Sequence, residues 1–94
     1  MLCIKQKTIK EEILVEIGNK FKECRNQLGL SLRQLDADIG IDHSYIAKIE
    51  RGEENLTINT IAVFLKKYKL QPNELFDFLL AEDFDKYFDK YNDK

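Results

Sequence analysis

The chain has no tryptophan, one proline, four glycines, two cysteines and one histidine in 94 residues. So few turn-forming residues disfavour a turn-rich β fold and favour helices. One histidine and two cysteines do not make a His/Cys metal constellation, and a single pair of thiols is not a disulfide framework. There is no glycine-rich phosphate loop and no nucleophile with an adjacent base. No catalytic residue, metal ligand or cofactor is therefore assigned, and no enzyme is expected. No apolar run approaches the ~20 residues of a membrane span. Met1-Leu2-Cys3-Ile4 is interrupted by Lys5 too early to act as a signal peptide, so a cytoplasmic protein is expected, with no membrane partner.

What is present is enough for one small domain with one core. The formal net charge of −2 is unevenly spread. Residues 1–70 carry twelve Lys and Arg against ten Asp and Glu, whereas residues 71–94 carry three against seven. Acidity is thus concentrated at the C-terminal end, and a nucleic-acid partner for the remainder is not excluded.

Hydrophobic spacing draws five helices, near residues 9–28, 31–39, 42–51, 57–68 and 72–80. Thr8 can cap the first, with Glu11 and Glu12 in its positive first turn. Its inward face is Ile13, Ile17, Phe21, Cys24 and Leu28, and Gly29 ends it. Ser31 with Gln34 three residues later is a capping box for the second helix, which turns Leu32, Leu35 and Ile39 inward. Gly40 can take the left-handed conformation that ends that helix, and Asp42 can cap the third. Ile46 and Ile49 hold the third helix down, leaving His43, Ser44, Ala47 and Lys48 largely outward. Two short helices joined by a tight turn make a helix-turn-helix. Thr57 caps the fourth helix, with Ile58, Ile61, Ala62, Leu65 and Tyr68 as its buried stripe. Pro72 opens the fifth. The expected core is Ile17, Phe21, Leu35, Ile39, Ile46, Ile49, Ile61, Leu65 and Leu75.

Residues 1–8, with Lys5 and Lys7, read as a loose basic arm, either a solvated terminus or a segment touching DNA. Residues 9–80 read as the helical domain. In residues 81–94, Phe84, Tyr87, Phe88 and Tyr91 recur at i, i+3, i+4 and i+7, which predicts a short amphipathic helix with an acidic outer face.

Residues 29–52 read GLSLRQLDADIGIDHSYIAKIERG. This stretch, above all its end SYIAKIERG, resembles the Cro/phage-repressor (XRE) helix-turn-helix family, and the likeness extends from about Ile17 to about Leu79. The resemblance implies an all-α, five-helix, lambda-repressor-like DNA-binding domain whose third helix enters the major groove of double-stranded DNA. Carried over by position, base-reading roles fall on His43, Ser44 and Lys48, with Tyr45 and Ala47 near. Backbone contacts fall on Ser31, Arg33, Tyr45, Arg51 and Asn55, with Lys20 as a further candidate. For Arg33 and Arg51 a plain solvated charge is the alternative. The family often pairs a first-helix arginine with the glutamate of its I-E-x-G motif, so a structural clamp of Arg25 and Glu50 is implied. Three departures stand out. Leu32 replaces the family's usual glutamine, Asp36 replaces its usual alanine, and Glu53-Glu54 stand where cationic or amide side chains often face the DNA backbone.

The reading is a sequence-specific DNA-binding transcriptional regulator, a repressor or controller, recognising a palindromic operator. The alternative, favoured by Asp36, Asp42, Glu53, Glu54 and the acidic tail, is a protein-interaction module that keeps the fold with little DNA affinity. One short helix reads few base pairs, so a homodimer is expected. Its interface is assigned to Phe76, Leu79, Leu80, Phe84, Tyr87, Phe88 and Tyr91, the alternative being a tail that covers its own fifth helix. The acidic tail also offers a surface for a protein partner.

Overall fold

A computed structural model of the chain describes residues 9–77. Among them every regular element is a helix: α1 Ile9–Gln27, α2 Leu32–Ile39, α3 His43–Glu50, α4 Ile58–Tyr68 and α5 Pro72–Leu75. The expected five-helix order holds to within one residue at every end but one: the fifth helix, expected to run to residue 80, ends at Leu75 with Phe76 as its C-cap. The basic arm, residues 78–80 of the expected fifth helix and the acidic aromatic tail lie outside the described residues.

Local chemistry accounts for the helix ends. The Ser31 hydroxyl accepts from the Gln34 amide at 3.0 Å and the Gln34 side chain accepts from the Ser31 amide at 2.7 Å, a complete capping box. Gly40, at φ 74°, closes α2 by donating its N–H to the Asp36 carbonyl at 2.8 Å. The chain can therefore reverse within three residues and begin α3 at His43. Thr57 caps α4 through the Thr60 amide at 3.1 Å.

Seven side chains form the buried core: Ile17 and Phe21 from α1, Leu35 from α2, Ile46 and Ile49 from α3, Phe64 from α4 and Leu75 from α5. Each contributes roughly 1.5–3 kcal/mol by leaving water. The Phe21 and Phe64 rings stack with centroids 4.5 Å apart, and Tyr68 lies tilted against both. Ile39, Ile61 and Leu65, expected in the core, pack against it from partly exposed positions.

Three apolar assignments are corrected. Ile58 is 81% exposed and Ala62 is exposed, while Phe64 is fully buried. The buried arc of α4 runs from Phe64 through Tyr68 and Ile61 to Leu65; Ile58 lies near the Leu65 edge of that arc but on the first turn, where it stays in water. Leu28 is 56% exposed because α1 has already ended at Gln27, and the chain carries it outward. Cys24 is half-buried, and burial raises its thiol pKa above the ordinary value, which disfavours the reactive thiolate.

Gly18 has a role that periodicity did not reveal. It is buried in α1, and a Cβ there would lie 2.5 Å from the Ile49 carbonyl oxygen and 2.7 Å from that of Glu50. At Gly52, where φ is 75°, a Cβ would lie 2.8 Å from the Cα of Val15. The C-terminal end of α3 is thus pressed backbone-to-backbone onto α1.

Candidate nucleic-acid interface

The outward side of α3 is defined by what its inward side buries. Ile46, Ile49 and Glu50 are buried, so Ser44, Lys48 and Arg51, spaced i, i+4 and i+7, form an exposed strip along the opposite side. His43 sits beside the strip at its N-terminal end.

Glu50 is the one buried charged side chain among the described residues, and it is paired. Arg25 Nε donates to Glu50 Oε2 at 2.8 Å and Nη2 donates to Oε1 at 3.0 Å, a bidentate fork. Arg25 Nη1 also donates to the Leu30 carbonyl at 2.8 Å. The two side chains are only 12% and 5% exposed. Hydrogen bonding to Glu50 raises the arginine's pKa above its usual value, so the guanidinium stays charged. One guanidinium thereby ties α1, the loop before α2 and the last turn of α3 into one body.

The N-terminal end of α3 is covered by two carboxylates. Asp42 is the N-cap: its Oδ2 accepts from the Ser44 amide at 2.9 Å and from the Ser44 hydroxyl at 2.7 Å. These hydrogen bonds, the hydroxyl's foremost, hold the Asp42 carboxyl below its usual pKa. Asp36, at the position where the resembled family usually has alanine, reaches across the turn from α2. Its Oδ2 accepts from the His43 amide at 2.9 Å and lies 3.1 Å from His43 Nδ1. A carboxylate can only accept, so the ring hydrogen in that contact is on Nδ1.

Of the three base-reading candidates, the structure therefore leaves Lys48 exposed, holds the Ser44 hydroxyl on Asp42 and holds one edge of His43 on Asp36. Asp36, Asp42 and His43 bring possible metal-ligand atoms within 4.8 Å of one another. Both carboxylates are committed to amides at the positive end of a helix, which opposes a cation there.

The backbone-contact candidates are similarly divided. Ser31 is occupied with its capping box, its amide at the start of α2. Arg33 and Asn55 are exposed, and Tyr45 is half-buried against the core. Arg51 is exposed and ion-paired to Glu53, a contact that sequence reasoning missed. The signal was the glutamate two residues after the arginine, across a glycine that turns the chain back. Lys20, in α1, is half-buried on a different helix from the strip. Phe76, assigned to a dimer interface, is half-buried against its own core; Leu79, Leu80, Phe84, Tyr87, Phe88 and Tyr91 lie outside the described residues.

Comparison with known proteins agrees with this architecture. A helix-turn-helix family model matches residues 21–75, more than half of the chain. The chain belongs to that helix-turn-helix family. It is 37% identical over 59 residues to the HTH-type transcriptional regulator PuuR of Escherichia coli, a match covering 63% of this chain and 32% of PuuR. The chain thus spans about a third of the length of that curated relative. Among solved structures, it is similar to the restriction-modification controller protein C.AhdI from Aeromonas hydrophila, with 35% identity and a TM-score of 0.62. That match covers 67% of this chain and 96% of C.AhdI. It is also similar to the controller protein C.Esp1396I, solved as a tetramer in complex with its natural 35 base-pair operator, with 26% identity and a TM-score of 0.63. There the match covers 77% of this chain and 95% of that one. Among the described residues, no helix is long and apolar enough to cross a membrane.

Proposed function

We propose that this chain is a cytoplasmic DNA-binding transcriptional regulator, of the controller or repressor kind, that reads a palindromic operator through α3. The observation that carries the reading is the exposed Ser44–Lys48–Arg51 strip on a helix that is clamped from behind by the buried Arg25–Glu50 fork. A reading helix must present side chains to base edges from a fixed position, and here rigidity and exposure lie on opposite sides of the same helix. Membership of the helix-turn-helix family and the likeness to two controller proteins support it.

In this reading Lys48 donates to guanine O6 or N7, and His43 and Ser44 discriminate at the neighbouring positions. Arg33, Arg51, Asn55, Tyr45 and the amides that follow Ser31 position the backbone. Two copies act as a two-fold homodimer, with reading helices about 34 Å apart. The interface is formed by the segment beginning at Phe76 and continuing through the aromatic tail, with the acidic charges at its rim. The arm of residues 1–8, the domain of 9–80 and the tail of 81–94 are the units of this arrangement, and the function is binding rather than catalysis.

One observation favours the protein-interaction alternative: Asp42, Glu53 and Glu54 all flank α3, and the first two accept hydrogen bonds from the strip itself. An electrophoretic shift with the DNA upstream of the chain's own gene separates the two. A specific shift, with Lys48→Ala relaxing the preference at one base position by about 1–3 kcal/mol, supports regulation. No shift with a folded protein supports the interaction module. Light scattering of the intact chain and of a chain lacking residues 82–94 tests the dimer: loss of dimer and of operator affinity together is the expected result.

A further inference from the structure

The C-terminal end of α3 carries two cations of the exposed strip, Lys48 and Arg51, and one carboxylate that engages them. Glu53 faces Arg51 through both of its oxygens, with Arg51 Nε 3.1 Å from Oε2 and Nη2 donating to Oε1 at 3.1 Å. The backbone determines where Glu53 stands. Gly52, at φ 75°, donates to the Ile49 carbonyl at 3.0 Å, and the Glu53 amide donates to the Lys48 carbonyl at 3.0 Å. Those two bonds are the Schellman pair that ends a helix, and they place the residue after the glycine back beside the last turn. Arg51 and, to a lesser degree, Lys48 hold the Glu53 carboxyl below its ordinary pKa, so it is a carboxylate at neutral pH. Arg51 makes one hydrogen bond and one close contact to Glu53 with the guanidinium edge that would make the same contacts to a phosphate. Its Nε and Nη2 cannot make both at once.

We propose that Glu53 sets the affinity of this protein for DNA, by occupying the Arg51 guanidinium in competition with a backbone phosphate. The proposal rests on the DNA-binding reading given above. Docking then either releases Arg51 from Glu53 or leaves Glu53 beside the phosphate, and both weaken binding. Glu54 supplies the control, since it carries the same charge one residue further on without the ion pair to Arg51.

The experiment measures binding to a mixed-sequence DNA duplex, long enough for two half-sites, by fluorescence anisotropy across a salt series. Wild type, Glu53→Gln, Glu54→Gln, Arg51→Ala and the Arg51→Ala/Glu53→Gln double variant are compared, each confirmed as folded by circular dichroism. Glu53→Gln is expected to bind about tenfold more tightly at low salt, and to steepen the slope of log K against log salt by about one. Glu54→Gln gives a much smaller gain, and in the Arg51→Ala background the Glu53→Gln gain disappears. Equal gains from the two glutamine variants, or a Glu53→Gln gain that survives without Arg51, would overturn the proposal, because Glu53 would then be acting only as a diffuse negative charge. So would an unchanged affinity in Glu53→Gln. Those results leave DNA binding itself intact; folded proteins that all fail to bind this duplex and the upstream DNA would instead remove the DNA-binding reading and the proposal with it.

Discussion

Gly18 in α1 lies directly against the Ile49 carbonyl in α3, so closely that a single added methyl group would sit 2.5 Å from that oxygen. Across this contact α1 supports α3, and the Arg25–Glu50 fork lies further along the same two helices. In an unconstrained helix interior, glycine to alanine stabilises by roughly 0.5–1 kcal/mol. Here the methyl group meets backbone on both carbonyls and cannot be relieved by a rotamer change. Gly18→Ala is expected to destabilise the domain by about 1–3 kcal/mol, as overpacking does. Urea unfolding decides the sign, and a stabilised variant would show that the two helices are free to separate.

Removing one half of the buried fork leaves the other charge without a partner. Arg25→Ala should cost about 3–5 kcal/mol, since Glu50 is left buried and charged while the Leu30 carbonyl also loses its donor. Replacing both partners together, as Arg25→Met with Glu50→Leu, should recover most of that loss. Denaturation midpoints of the three proteins test this. A cost below about 1 kcal/mol for Arg25→Ala would mean that the pair behaves as a solvent-exposed bridge.

The corrected face of α4 makes a paired prediction. Phe64→Ala should cost about 3–5 kcal/mol, because it empties a fully buried site stacked on Phe21. Ile58→Ala should change stability by no more than about 0.5 kcal/mol, because the side chain is already in water. Thermal unfolding of both variants reads the difference directly. Similar losses at the two positions would mean that Ile58 is packed rather than in water.

Tyr68 predicts how stability changes with pH. Its hydroxyl is buried and has no hydrogen-bond partner among the described residues. Burial first, and the nearby Glu50 charge second, push its pKa well above the usual phenol value. The folded state thus keeps the proton at a pH where the unfolded chain has released it. The stability linked to this group is complete below about pH 10, the unfolded value, and declines as pH rises beyond that. Tyr68→Phe should remove this share of the alkaline decline. At neutral pH it should leave stability unchanged or raise it by about 1 kcal/mol, since an unpaired hydroxyl no longer has to be buried. Unfolding free energies from pH 7 to beyond the phenol range would settle it, and a variant clearly weaker at pH 7 would reveal a partner for the hydroxyl.

Much of the fold is legible in one dimension because its signals act over one turn of helix. Ser31 with Gln34, Gly40, Asp42 and Thr57 each mark a helix end through a contact reaching no more than four residues along the chain. The outward placing of Ser44 and Lys48 follows in the same way, because Ile46 and Ile49 hold α3 down on the opposite side; that Arg51 extends them into a strip, and that His43 and Ala47 are half-buried, is seen only in the structure. Arg25 and Glu50 were nominated by resemblance; that their side chains meet in a bidentate fork is a fact of the tertiary structure.

The rest depends on what lies opposite. Periodicity offered α4 several apolar residues and could not say which arc the core would take; the ring of Phe21, supplied by α1, selects Phe64. Gly18 interrupts nothing in the pattern of α1, and its need for no side chain comes entirely from a carbonyl on another helix. Residue types alone showed that α3 had polar groups to offer DNA. Only the folded chain decides which are free, because Asp36 reaches His43 across the turn and Glu53 is returned to Arg51 by the left-handed glycine at 52. Covalent geometry and short-range hydrogen bonding write the elements and their ends. The pairing of charges and the choice of buried face are made by neighbours distant in sequence or reached through a turn, and those exist only once the helices have packed.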